Sequence, residues 1–169
     1  MRPARAGEPG GPRAPSPGMA ESARTVIVHE TARPPRAGLW LAALAVVPLL
    51  LAVPALWLLP GDLVREAARL WAAALTLFFS GVRRGLSFRT EGGATGAQMA
   101  AFAGLFAAGL AALLLPAVAA LWLLAAALGA LALVDPRAAE RGEVPLWFAG
   151  LRAVQMPVAA VALAALALL

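Results

Sequence analysis

The longest stretch of the chain without a charged side chain runs from residue 92 to residue 134. One helix of that length would measure roughly 60 Å, about twice the hydrocarbon core of a bilayer. Pro116 lies near the middle of the run. The stretch therefore divides into two membrane spans, 98–115 and 116–134, joined by a very tight turn. The rival, one long kinked helix, would protrude far beyond the core. Composition points the same way, with 62% hydrophobic residues, 14% charged residues and a mean hydropathy of +0.80. Soluble domains carry roughly 25% charged residues. These values exclude an ordinary soluble domain and a disordered or fibrous chain and point to an integral membrane protein, which the long apolar runs make all-α and polytopic.

Three further spans are expected. Residues 39–59 carry no charge and match the roughly 20 residues a helix needs to cross a bilayer. Pro48 and Pro54 fall inside this segment and predict kinks. The second apolar core is short, because Arg69 precedes it and Arg83 and Arg84 follow it. Thirteen apolar residues alone suggest a re-entrant or interfacial helix, whereas with snorkelling Arg side chains the segment extends to a span over 67–86. The fifth span covers 146–168, interrupted by Arg152 and Gln155 and kinked at Pro157. About five transmembrane helices thus form a membrane domain over 38–169. Before it, residues 1–37 are rich in Pro, Gly, Arg and Ala, the composition of a disordered tail. Met19 offers a second start, and stretch 25–28 is too short for more than a transient strand.

All fourteen basic residues are Arg, and Lys, Asn, Tyr and Cys are absent. A GC-rich bacterial genome is the simplest cause. The net charge of +5 does not mark a nucleic-acid binder, because the Arg residues flank apolar runs. With five spans, eleven Arg fall on the side of the tail, whereas only Arg65 and Arg69 fall opposite. Positive residues collect in cytoplasmic loops. The expected topology is an inner-membrane protein with a cytoplasmic N-terminus and an outward C-terminus.

Few residues can carry chemistry. Absence of Cys excludes disulfides, iron–sulfur clusters and Cys-ligated zinc, and the single His29 sits in the tail. No catalytic, cofactor or metal site is expected. Placing Asp135 in a charged loop over 135–143 leaves no carboxylate in a helix core, which argues against a proton-coupled carrier. Gly81 and Gly85 form a G-x-x-x-G spacing that lets helix backbones approach closely. Arg83 and Arg152 lie at similar depth, and intramembrane Arg requires a partner or a wet cavity. Asp135, Glu143, Gln155 and lipid phosphates are the candidate partners. Arg83, Arg84, Asp135 and Arg152 are therefore the candidate lipid, anion or structural polar positions. The competing account makes the arginines snorkelling anchors. Thr76 and Gln98 are expected to bond between helices. Trp40, Trp57, Trp71 and Trp147 are expected at the membrane interfaces, and Trp122 in the packed interior.

The segment Phe78-Phe79-Ser80-Gly81-Val82-Arg83-Arg84-Gly85-Leu86 resembles the F-L-G-G-[IV]-[HR]-W-G signature of a small polytopic membrane family, domain of unknown function family 3429. Asp135, Gly142, Pro145, Trp147, Phe148, Leu151 and Arg152 resemble its D…G…P-W-Y-x-x-L-R element, and Pro48 and Pro116 fall where its prolines fall. The resemblance covers roughly 38–169. Ser80 stands at a usual Gly, Arg84 at a usual Trp and Phe148 at a usual Tyr. The resemblance implies a helical inner-membrane protein with no assigned activity, and it gives weight to Arg83 and Arg152.

The expected function is a non-enzymatic structural, assembly or interaction role in the bilayer, with a membrane-protein partner or a second copy of the chain. The alternative is a small anion or lipid-headgroup carrier using Arg83 and Arg152.

Overall fold

A computed structural model describes residues 34–90 and 92–169. Most of the expected tail, with Met19, stretch 25–28 and His29, lies outside the described residues. The described chain is all-helical, with α1 (Arg36–Ala55), α2 (Gly61–Ser87), α3 (Gly96–Leu114), α4 (Ala117–Glu140) and α5 (Leu146–Leu168). Helices α1, α3, α4 and α5 are each long and apolar enough to cross a membrane. The protein is a multi-pass membrane protein.

Each boundary follows from local chemistry. Helix α1 ends one residue after Pro54, earlier than the expected end at 59, and leads through a turn to Pro60. Helix α3 opens with a capping box, in which the Thr95 hydroxyl accepts from the Gln98 N–H and the Gln98 side chain accepts from the Thr95 N–H. Gln98 also donates to the Thr90 hydroxyl at 2.8 Å. It thus orders its own helix start rather than joining two helices. Helix α3 stops at Leu114 and α4 starts at Ala117, so Pro116 divides the long apolar run as the tight-turn reading requires. Residues 100–108 of α3 face residues 123–134 of α4 across a shared cleft, in antiparallel order.

Helix α4 runs six residues beyond its expected end at 134. It closes in a Schellman motif, with Gly142 N–H donating to Ala139 O and Glu143 N–H to Ala138 O, both at 2.9 Å. Gly142 supplies the left-handed φ of 71° that this cap needs. The expected loop over 135–143 is therefore only its last few residues.

Helix α2 is the exception among the five. It has 27 residues and begins six residues before the expected 67, taking in Asp62, Arg65 and Glu66. It touches each of the other four helices. Its buried residues are mostly small or polar, among them Ala72, Ala73, Thr76, Ser80, Arg83 and Ser87, with Phe79 as the one aromatic. Leu49, Leu121, Leu124, Leu128, Met156, Leu163 and Leu166 form the fully buried apolar core, contributed by α1, α4 and α5.

Several packing expectations are corrected. Thr76 is buried but bonds back to Ala72 O of its own helix at 2.8 Å, so it does not bridge helices. Trp122 is 45% exposed and lies outside the core, because the buried stripe of α4 runs through its neighbour Leu121. A Cβ at Gly81 or Gly85 would meet nothing within 4 Å, so this pair makes no close helix approach within the chain. The close approach lies at Gly109 of α3. A Cβ there would fall 2.7 Å from Leu77 Cγ and 3.4 Å from Ala73 O of α2.

Gly109→Val is expected to cost about 1–3 kcal/mol through overpacking between α2 and α3. Gly81→Ala and Gly85→Ala should cost nothing and can raise stability by up to about 1 kcal/mol through helix propensity. Thermal unfolding of the detergent-solubilised chain checks the contrast. Equal losses at all three positions would contradict the packing described.

Candidate functional site: the buried Arg83–Asp135–Arg152 cluster

Three charged residues meet where α2, α4 and α5 converge. Arg83 lies four residues before the end of α2, Asp135 five before the end of α4, and Arg152 six after the start of α5. At 1.5 Å per residue all three sit roughly 6–9 Å from the same end of the bundle. Each lies on its helix's buried stripe. On α4 that stripe is Leu121, Leu124, Leu128, Leu131, Asp135 and Ala138. On α5 it is Ala149, Arg152, Met156, Ala159, Leu163 and Leu166. Spacings of three and four keep these residues on one face, which turns the ionic groups inward.

Asp135 is fully buried and accepts from both arginines. Arg83 donates through Nη2 to Oδ1, and Arg152 donates through Nη1 to Oδ2 at 3.3 Å. Arg83 and Arg152 are only 4% and 3% exposed. The Arg152 guanidinium also lies between two aromatic rings, 3.8 Å from the Phe79 centroid and 4.4 Å from that of Phe148. Ring quadrupoles attract a cation placed over their faces, and the attraction grows where water is excluded. Two cations against one carboxylate leave the cluster with a surplus of one positive charge. The Arg83 Nε is buried without a hydrogen-bond partner among the described residues.

The sequence-derived candidates separate here. Arg83, Asp135 and Arg152 come together, so the two arginines are not snorkelling anchors. Asp135 belongs to a helix and not to a loop, which removes the ground for arguing against a proton-coupled carrier. Arg84 stays outside the cluster. It donates to the Ser87 hydroxyl at 3.0 Å and lies 4.1 Å over the Phe88 ring. Glu143 pairs with Arg141 at 2.7 Å. Gln155 donates to Ala42 O at 2.9 Å, which ties α5 to α1.

A second polar layer lies at the opposite end of the bundle. Arg65 Nε donates to Leu166 O in the last turn of α5, at 3.2 Å. Arg69 Nη1 donates to Ala112 O in the last turn of α3, at 2.7 Å, and Arg69 also pairs with Glu66. The last four carbonyls of a helix have no partner in their own helix, and these arginines supply one. Sequence reasoning counted Arg65 and Arg69 only as flanking charges and missed their role. The readable signal was their spacing of four, which puts both on one face of α2.

Beside Arg152 lies a groove of about 180 Å³ between α1, α2 and α5. Its walls are mostly apolar and aromatic, with Arg152 and Gln155 as the polar members. Comparison with protein-family models, curated proteins and solved structures gives no match to this chain.

Asp135→Asn leaves two buried guanidinium groups without a counter-charge. The expected loss of stability is about 3–5 kcal/mol, the range for breaking a buried ion pair from one side. Arg141→Gln, at a pair whose arginine is half exposed, should cost less than about 1 kcal/mol. Thermal unfolding in detergent distinguishes the two.

Proposed function

We propose that the protein is a non-enzymatic structural or assembly component of a bacterial inner membrane, holding a partner helix or a second copy of itself against α2. Support comes from the division of labour on that helix. Its buried charges are spent on neighbouring helices within the chain. Its outward stripe carries Ala74, Phe78, Gly81 and Gly85, all exposed and spaced by three or four residues. In lipid, small residues at that spacing let a second helix approach closely, and packing then drives association. The resemblance to domain of unknown function family 3429 is part of this proposal, as is a full crossing by α2. The excess of Arg on the side of the N-terminus supports a cytoplasmic N-terminus and an outward C-terminus.

Native-lipid pull-down of the full chain should enrich a membrane-protein partner or a second copy, and Gly81→Leu with Gly85→Leu should remove it. An inert monomer with no enriched partner would overturn the proposal. A fluorescent reporter fused to the N-terminus and a phosphatase fused to the C-terminus should both be active. Reversed activities would contradict the orientation.

A further inference from the structure

The surplus positive charge of the buried cluster has an outlet. Arg152 gives Asp135 one nitrogen, Nη1, and among the described residues its Nε and Nη2 have no protein acceptor. The same side chain borders the groove between α1, α2 and α5. From Gly38 and Trp147 near the helix ends, the groove reaches Ala45 and Gln155 deeper in the bundle. The eight residue steps from Trp147 to Gln155 correspond to about 12 Å along α5. The groove walls therefore suit a hydrocarbon chain, and one cation with free donors borders it.

A buried net charge is costly unless a counter-ion is close. Among the described residues, Asp135 is the sole carboxylate paired with Arg83 or Arg152. Glu66 and Glu143 are committed to Arg69 and Arg141. One further anion would balance the cluster. In a groove this apolar, the fitting anion is one that carries its own hydrocarbon.

We propose that the α1–α2–α5 groove binds an anionic phospholipid, with Arg152 donating to the phosphate and an acyl chain lying along the groove wall. Phe79 and Phe148 hold the guanidinium plane in place, and Asp135 fixes its far edge. The groove shares Phe78 with the outward stripe of α2 but neither Gly81 nor Gly85, so Ala42→Phe and the Gly81/Gly85 substitutions test the two sites separately. The lipid is a bound component of the fold, and no transport step is involved.

Native mass spectrometry of the full chain, with phosphatidylglycerol or phosphatidylcholine added in detergent, tests the site. Phosphatidylglycerol should be retained after delipidation, with at least a tenfold preference over phosphatidylcholine. Arg152→Gln should reduce that retention at least tenfold. Ala42→Phe, which fills the groove and keeps every member of the ion cluster, should do the same and should keep the wild-type unfolding midpoint when lipid is absent. Equal retention of the two lipids would overturn the site and leave only annular lipid. Undiminished retention in Ala42→Phe would overturn it as well. Displacement of phosphatidylglycerol by low-millimolar inorganic phosphate would contradict the lipid assignment in favour of a free anion.

Discussion

Everything in this bundle depends on how helices choose one another when the solvent is as apolar as their side chains. A buried Leu gains little over one facing lipid, so apolar area alone cannot select a register. Polar contacts can, because an unsatisfied group in hydrocarbon is expensive. Helix α2 supplies most of them. Near one end its Arg65 and Arg69 reach the last carbonyls of α5 and α3, and near the other its Arg83 joins Asp135 of α4 and Arg152 of α5. The helix with the most charge is thus the one that touches all four others. Its Thr76, Ser80, Arg83 and Ser87 face inward, the reverse of a soluble amphipathic helix.

The two layers do different work. Arginines on backbone carbonyls satisfy helix ends that would otherwise be bare. The ion cluster sets the relative rotation of three helices, because Asp135 can meet both arginines only when all three stripes face one another. Small residues make this geometry reachable. Ala72, Ala73 and Ala112 are fully buried, and Gly109 lets α3 come close enough for Leu77 to pack on its backbone. Larger side chains there would hold α2 and α3 apart and draw Arg69 away from Ala112 O.

Much of the fold was legible in the sequence. Long uncharged runs, Pro116 and the charged loop near 140 were enough for five helices in order, and for the break between α3 and α4. Helix ends were less legible because charge was read as loop. Asp135-Pro136-Arg137 looks like a turn, yet a proline near the end of a helix removes one hydrogen bond without ending it, and the cap lies at Gly142. The convergence of Arg83 and Arg152 was half visible. Their matched depth was readable from residue counts, and Asp135 stood among the named partners. What decided the matter was the three-and-four spacing of leucines on α4, which continues through Asp135. Gly81 and Gly85 carried the motif of a close approach but lie on an outward face, whereas Gly109, with no motif to mark it, makes the contact. Local spacing does not tell which face of a helix its neighbours will cover.

Coupling between Arg83 and Asp135 tests the central claim most directly. A double-mutant cycle with Arg83→Met, Asp135→Leu and the pair, followed by reversible unfolding in lipid–detergent micelles, isolates the interaction. If the ion cluster orients α2 against α4, the double variant is more stable than the sum of the single losses implies, with a coupling of roughly 1–3 kcal/mol. Strict additivity would mean that the two side chains do not depend on each other, and that something other than this cluster holds the bundle in register.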